Sequence, residues 1–203
     1  MKLIGMLDSP YVRRVAICAK YLGIDLEHES VSVFRHFEQF QQINPVVKAP
    51  TLVLDDGDVL MDSTLIIDYL QALAGPANRL MPSDPKQRLR SLRVIGLALA
   101  ACEKSVQLYY ERNLRPAEIQ YQPWVERVEG QLAAAYSALE RELEKQPLAN
   151  GASIAQDGIS VAIAWSFTHL VVPDQVDAER FPHIAQFTAQ AEKLEAFINT
   201  PIT

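Results

Sequence analysis

Cysteine is scarce in this chain: there are two among 203 residues, Cys18 and Cys102, with neither CxxC spacing nor a histidine pair beside them. Such a placement gives almost no support to a zinc site or a dithiol motif, and it suits two reduced, buried thiols. No metal is expected. Basic runs are also missing, since 19 Lys and Arg are scattered among 25 Asp and Glu for a formal net charge of −6. A sequence-independent nucleic-acid footprint depends on clustered Lys and Arg, so nucleic acid is not an expected ligand. Long apolar runs are lacking too. Residues 94–102 and 159–167 fall well short of the ~20 residues that a membrane span needs, and no bilayer crossing is expected. At the N-terminus, Asp8 and the Arg13-Arg14 pair arrive too early for a signal peptide, which makes a cytoplasmic location the default expectation.

What is present is the ordinary composition of a globular chain, with 49% hydrophobic residues. The length admits one large domain or two small ones and buries a core without disulfides. Up to about Gly75 the pattern changes every few residues, whereas from Pro85 onward it reads almost wholly helical. Residues 2–7 (KLIGML) form a run of strand length. Ser9 and Pro10 then occupy the cap and first position of a helix that carries Val12, Val15, Ala16, Ala19 and Leu22 on one face and stops at Gly23. Residues 25–33 alternate weakly as a second strand, and the segment between it and Pro50 reads as irregular. The stretch PTLVLDDGDVLMDS is a hairpin signal, and Ser63 opens a helix with Leu65, Ile66, Tyr69, Leu70 and Leu73 at helical spacing. Residues 76–84 (PANRLMPSD) fit a linker.

Beyond the linker a long helix places Leu89, Leu92, Ile95, Leu99, Val106 and Tyr109 or Tyr110 near one stripe. The next helix steps through Trp124, Val128, Leu132, Ala135, Leu139 and Leu143, with charged residues on its other face. A third, from about residue 158 to 170, is apolar all round and belongs at the centre of a helical domain. A fourth runs from about 183 to 194. The expected fold is therefore α/β followed by all-α, with domains at residues 1–76 and 85–203.

Three places carry chemistry. Ser9 sits at a helix N-terminus, where unpaired backbone amides and a partial positive charge favour an anion such as a thiolate. By itself the feature also reads as a plain helix cap. Pro50 directly precedes an apolar strand; the bond before it is either an ordinary trans bond or a cis bond that turns the Ala49 backbone outward toward an extended ligand. Asp62 and Ser63 begin another helix, again where a carboxylate is welcome and again readable as a cap.

In this order and spacing, SPYVRRV, INPVVKAPTLV, DSTLIIDYL and FPHIAQFTAQAEKLEAF resemble the glutathione transferase family over essentially the whole chain. The look is closest to bacterial members with SPxVRK or SPxVRR at the first helix. The resemblance implies a thioredoxin-like glutathione-binding domain followed by a C-terminal helical bundle, glutathione as co-substrate, a homodimer, and transfer of glutathione to a small alkyl or aryl electrophile, as in detoxification. It places Ser9 against the glutathione sulfur and pairs the backbone of Ala49, before a cis Pro50, with the cysteinyl part. Asp62 and Ser63 then hold the γ-glutamyl end, Lys48 faces the glycyl carboxylate, and Phe34, Arg35 and His36 flank that end. Tyr11, Tyr109, Tyr110, Arg112 and Trp165 are candidate liners of an electrophile pocket, each equally readable as ordinary packing.

Serine rather than cysteine at position 9 disfavours mixed-disulfide chemistry, and Cys18, two turns into the helix, cannot substitute. Two departures from the family pattern stand out. Residues 157–160 (DGIS) exchange the usual order of a reciprocal capping arrangement, with Asp157 as the expected N-cap. Residues 100–104 (AACEK) leave Glu103 as the sole nearby acid for a partner subunit's site. Two alternatives to a transferase remain open: a non-catalytic binding or regulatory protein of the same fold, and a glutathione-dependent isomerase or dehalogenase.

Overall fold

Every strand of the N-terminal sheet is only three residues long, so loops and helix contacts, more than ladder length, hold its shape. The computed structural model describes residues 1–76 and 78–202. Ala77, in the expected linker, lies outside them. Strand β1 (Lys2–Ile4) leads to α1 (Pro10–Tyr21), β2 (Glu27–Glu29), α2 (Phe37–Ile43), β3 (Thr51–Val53), β4 (Val59–Met61) and α3 (Ser63–Ala74). The long helices α4 (Pro85–Asn113), α5 (Gln122–Lys145), α6 (Gln156–Val171) and α7 (Pro182–Ala191) follow, and α8 (Glu195–Ile198) is a single turn. The chain divides into one unit of Met1–Leu80 with Leu194–Thr203 and another of Met81–Lys193. The last ten residues, expected within the helical domain, thus group with the first unit.

In the first unit the sheet order is β2-β1-β3-β4, with β1 parallel to β2 and antiparallel to β3, and β3 antiparallel to β4. The turn between β3 and β4 is the Asp-Asp-Gly-Asp segment, in which Gly57 takes φ 94°, a backbone region that glycine enters without a Cβ clash. Helix α1 starts at Pro10 and ends with the Ile24 amide donating to the Ala19 carbonyl at 2.9 Å. Val12, Val15, Ala19 and Leu22 of its expected apolar face are buried. Helix α2 replaces the expected irregular segment. Its sequence, FEQFQQI, offers one buried anchor, Phe40, which packs with Ile4 and Val31, too little periodicity to read as a helix.

The helical unit also differs in which face is inside. On α4 the buried residues are Ser91, Val94, Ile95, Ala98, Ala101, Cys102, Ser105, Leu108 and Glu111, whereas Leu89 and Leu92 are 69% and 50% exposed. The stripe drawn through large residues misses a face built largely of small ones, which permits close approach of the neighbouring helices. Helix α5 buries Val128, Leu132, Ala135, Leu139 and Leu143 as its spacing predicts, whereas Trp124, first in that series, is exposed. Helix α6 is buried nearly throughout. Asp157 is not its N-cap; Ala155 is. The Asp157 carboxylate instead accepts from the Ser91 hydroxyl at 2.7 Å and from the Gly158 amide at 2.8 Å, tying α6 to α4. A Cβ at Gly158 would come within 2.9 Å of Phe187 and 3.0 Å of Ile154, so glycine permits the close packing there.

Neither cysteine forms a disulfide, and both are buried. Burial pushes the Cys18 thiol up from 9.0 to about 12, against the opposing charge of Arg14. Between these values the unfolded chain loses the proton that the folded chain keeps, so stability is present below pH 9 and declines as pH rises toward 12. Cys18→Ala should therefore show a shallower alkaline loss of stability than the parent, by up to ~1.4 kcal/mol per pH unit, measured by urea unfolding across that range.

Candidate functional site

The β1–α1 junction places a serine at a helix start without using its hydroxyl as a cap. Ser9 takes extended backbone angles as the residue before α1, and its amide donates to the Met6 carbonyl at 3.2 Å while its carbonyl accepts from the Arg13 amide at 3.0 Å. The side chain makes no capping hydrogen bond. Pro10, lacking an N–H, occupies the first turn at no cost in donors. The Asp8 carboxyl lies in the field of Arg35; its enclosure raises the pKa against the Ser9 amide and that charge.

The second part of the site is the loop from α2 to β3. The Ala49–Pro50 peptide bond is cis, and Val47 takes φ 52°, an uncommon region for a β-branched residue. Asn44 holds the loop from inside: its Nδ2 donates to Thr51 Oγ1 at 2.9 Å and its Oδ1 accepts from the Val46 amide at 3.0 Å. Thr51 Oγ1 in turn donates to the Lys48 carbonyl at 2.8 Å. Ala49 packs on the Ile4, Val31 and Phe40 cluster. Opposite it, Gly5 takes φ 138°, and a Cβ built there would lie 3.1 Å from the Ala49 Cβ and 2.6 Å from Val12. The close approach of β1's end to the Ala49 loop and α1 therefore requires glycine.

The third part is the start of α3. Asp62 takes φ 77° and caps the helix by accepting from the Thr64 amide at 2.9 Å. Burial would raise its carboxyl, but the Thr64 amide, Lys48 and the Leu65 amide outweigh it and hold the pKa below the ordinary carboxylate value. Lys48 Nζ stands 3.4 Å from Asp62 Oδ2, so this side chain meets the γ-glutamyl pair of the sequence reading. Ser63 is buried, and its hydroxyl accepts from Arg14 Nη1 at 3.0 Å. Among the described residues Val47 and Asp62 are the non-glycine positions with positive φ, and both flank this candidate site.

The remaining candidates are dispersed. Ser32 forms the turn before α2, its hydroxyl accepting from the Phe34 and Arg35 amides, and His36 Nδ1 accepts from the Ser32 amide. Phe34 is exposed, and Tyr11 is half-buried. In the helical unit, Tyr109 and Tyr110 lie side by side with ring centres 6.3 Å apart. Arg112 is engaged by Glu129 and by Asp174 at 3.0 Å. Trp165 is 5% exposed and packs against the Tyr136, His169 and Phe181 rings, a core position. Glu103 accepts from Lys104 and Gln107 on its own helix. Sequence reasoning missed Gly5, Asn44 and Arg14. The usable signal for Arg14 was a charge one helical turn before Cys18 on an otherwise apolar face. Among the described residues no cluster of His, Cys, Asp and Glu suits a metal ion, and no helix is long and apolar enough to cross a membrane.

The profile described as Glutathione S-transferase, N-terminal domain, matches residues 3–78. Rat glutathione S-transferase theta-2 is 30% identical over 203 residues, covering 98% of this chain and 82% of its own. The uncharacterised GST-like protein YibF of Escherichia coli (strain K12) is 27% identical over 202 residues, with 98% of each chain covered. Among solved structures, a glutathione S-transferase from Methylobacillus flagellatus, with glutathione bound, superposes with a TM-score of 0.89 at 26% identity, covering 100% of this chain and 99% of that one. The site built around Gly5 yields one expectation: Gly5→Ala, which needs an unfavourable φ and meets Val12, should lower stability by about 1–3 kcal/mol, read as a shifted denaturation midpoint.

Proposed function

This chain belongs to the glutathione S-transferase family, and we propose that it binds glutathione, holds the tripeptide's sulfur as a thiolate at Ser9 and adds it to a small electrophile. The observation that carries this reading is the Ser9 hydroxyl, which stands at the α1 N-terminus and makes no capping bond. Only a thiolate attacks, and a free thiol of pKa ~8.5 is about 3% ionised at pH 7. Bringing that pKa to about 6.5 requires ~2.7 kcal/mol of preference for the anion. A hydroxyl donor, helix-terminal amides and the helix dipole supply interactions of that size jointly.

In this reading the proton leaves the sulfur for solvent and a sulfur–carbon bond forms on the electrophile. A leaving group departs with its electron pair, or the adduct takes a proton from water. The Ala49 backbone pairs with the cysteinyl part, and Asp62 and Ser63 take the γ-glutamyl end. Lys48 reaches the glycyl carboxylate by leaving Asp62, at little cost because exposed ion pairs contribute only ~0–1 kcal/mol. Within the helical unit Tyr109 and Tyr110 are the liners proposed for the electrophile, since Arg112 is held by two carboxylates and Trp165 lies in the core. The proposed partner is a second copy of the chain, for which Leu65 and Leu73 on α3 and Leu89 and Leu92 on α4 offer exposed apolar surface.

The test is conjugation of glutathione to a generic aryl halide together with retention on immobilised glutathione. The parent should do both, and retention without turnover would reduce it to a binding protein. Ser9→Ala should lose thiolate absorbance of the bound tripeptide at neutral pH and ~10–100-fold in turnover, the worth of a hydrogen bond to a charged group; unchanged absorbance would remove the role assigned to Ser9.

A further inference from the structure

Two adjacent arginines of α1 are buried, and they point to different parts of the first unit. Arg13 Nε donates to the Thr200 carbonyl at 2.8 Å, and its guanidinium lies over the Phe197 ring, 5.5 Å from the centroid. Arg14 is 1% exposed, and its Nη1 donates to Ser63 Oγ at 3.0 Å and to Thr64 Oγ1 at 3.1 Å. One nitrogen with two hydrogens thus meets both hydroxyls of the first turn of α3.

The direction of these bonds matters. A guanidinium has donors and no acceptor, so each hydroxyl must use an oxygen lone pair toward Arg14 and keeps its own hydrogen for another partner. A hydroxyl that accepts from a cation is also a stronger donor, because chained hydrogen bonds polarise one another. At the same turn Asp62 already accepts from the Thr64 amide, so that amide is engaged while the Ser63 and Thr64 hydroxyls each keep a hydrogen to donate.

We propose that Arg14 is a positioning residue: from beneath the α3 N-terminus it orients the Ser63 and Thr64 hydroxyls as donors to a ligand α-carboxylate. This rests on the glutathione reading above and assigns the glutamyl α-carboxylate as the group that Arg14 selects, acting through Ser63 and Thr64 without touching it. Lysine keeps the charge but lacks the planar fork, so it can satisfy one hydroxyl well and not the pair.

The experiment measures dissociation constants by calorimetry for glutathione and for its analogue in which the glutamyl α-carboxylate is a carboxamide. The parent should prefer glutathione by ~10-fold or more, as expected for a charge-assisted hydrogen bond. Arg14→Met should lose ~10–100-fold in affinity for glutathione while binding the carboxamide as the parent does, so that the preference collapses toward one. Arg14→Lys should retain part of the preference, and it answers the same question if Arg14→Met does not fold. Arg13→Met, which loosens the Thr200 and Phe197 contacts, should lower thermal stability and leave the preference intact. A preference unchanged in the Arg14 variants, or equal weakening for both ligands, overturns the inference while the glutathione reading stands. A parent that binds neither ligand overturns that reading and the inference with it.

Discussion

The anchoring of α1 is the constraint on which the first unit depends. A three-residue strand ladder cannot by itself fix a helix, and here two buried arginines, bonded to Thr200 on one side and to Ser63 and Thr64 on the other, locate it. Buried cations are costly unless hydrogen-bonded, so each geometry is retained only while its acceptors stay in place. The C-terminal ten residues therefore belong to the fold of the N-terminal unit, and the start of α3 is held by the same helix that presents Ser9.

Helix starts are used in two ways in this chain. Asp62 and Asp84 cap α3 and α4 by accepting from the Thr64 and Gln87 amides. Ser9, a residue type equally suited to capping, makes no such bond. The difference separates helix starts completed by their own side chains from a serine start that is not. The loop carrying Ala49 and Pro50 is brought up to α1 by the absence of a side chain at Gly5 and stapled by Asn44 and Thr51. The candidate site is thus assembled by close backbone approach and buried side-chain hydrogen bonds, supports that lie behind the residues proposed to meet a ligand.

In the sequence the strand-helix order, the hairpin and the helix starts at Ser9-Pro10 and Ser63 were legible, because turn and capping chemistry is local. So was the inner face of α5, whose large apolar residues repeat with the helix period. On α4 the same reasoning chose Leu89 and Leu92, which are exposed, over the Ala98, Ala101 and Ser105 face that is buried; close helix packing favours small residues that a search for large apolar ones passes over. Helix α2 escaped because Phe40 is its one buried anchor. Asp157 looked like a cap from its position, yet its carboxylate reaches Ser91, 66 residues away in sequence.

By itself the sequence determined the two-part organisation, the family resemblance and the residue types offered at Ser9, Pro50, Asp62 and Ser63, since each depends on local order and spacing. Only the tertiary structure decided that the Ser9 hydroxyl does not cap its helix, that Lys48 lies against Asp62, that Arg112 and Trp165 are held within the helical unit, and that Arg14 underlies Ser63 and Thr64. Those outcomes turn on distances between residues far apart in the chain, and a hydroxyl's role follows from which partner reaches it first.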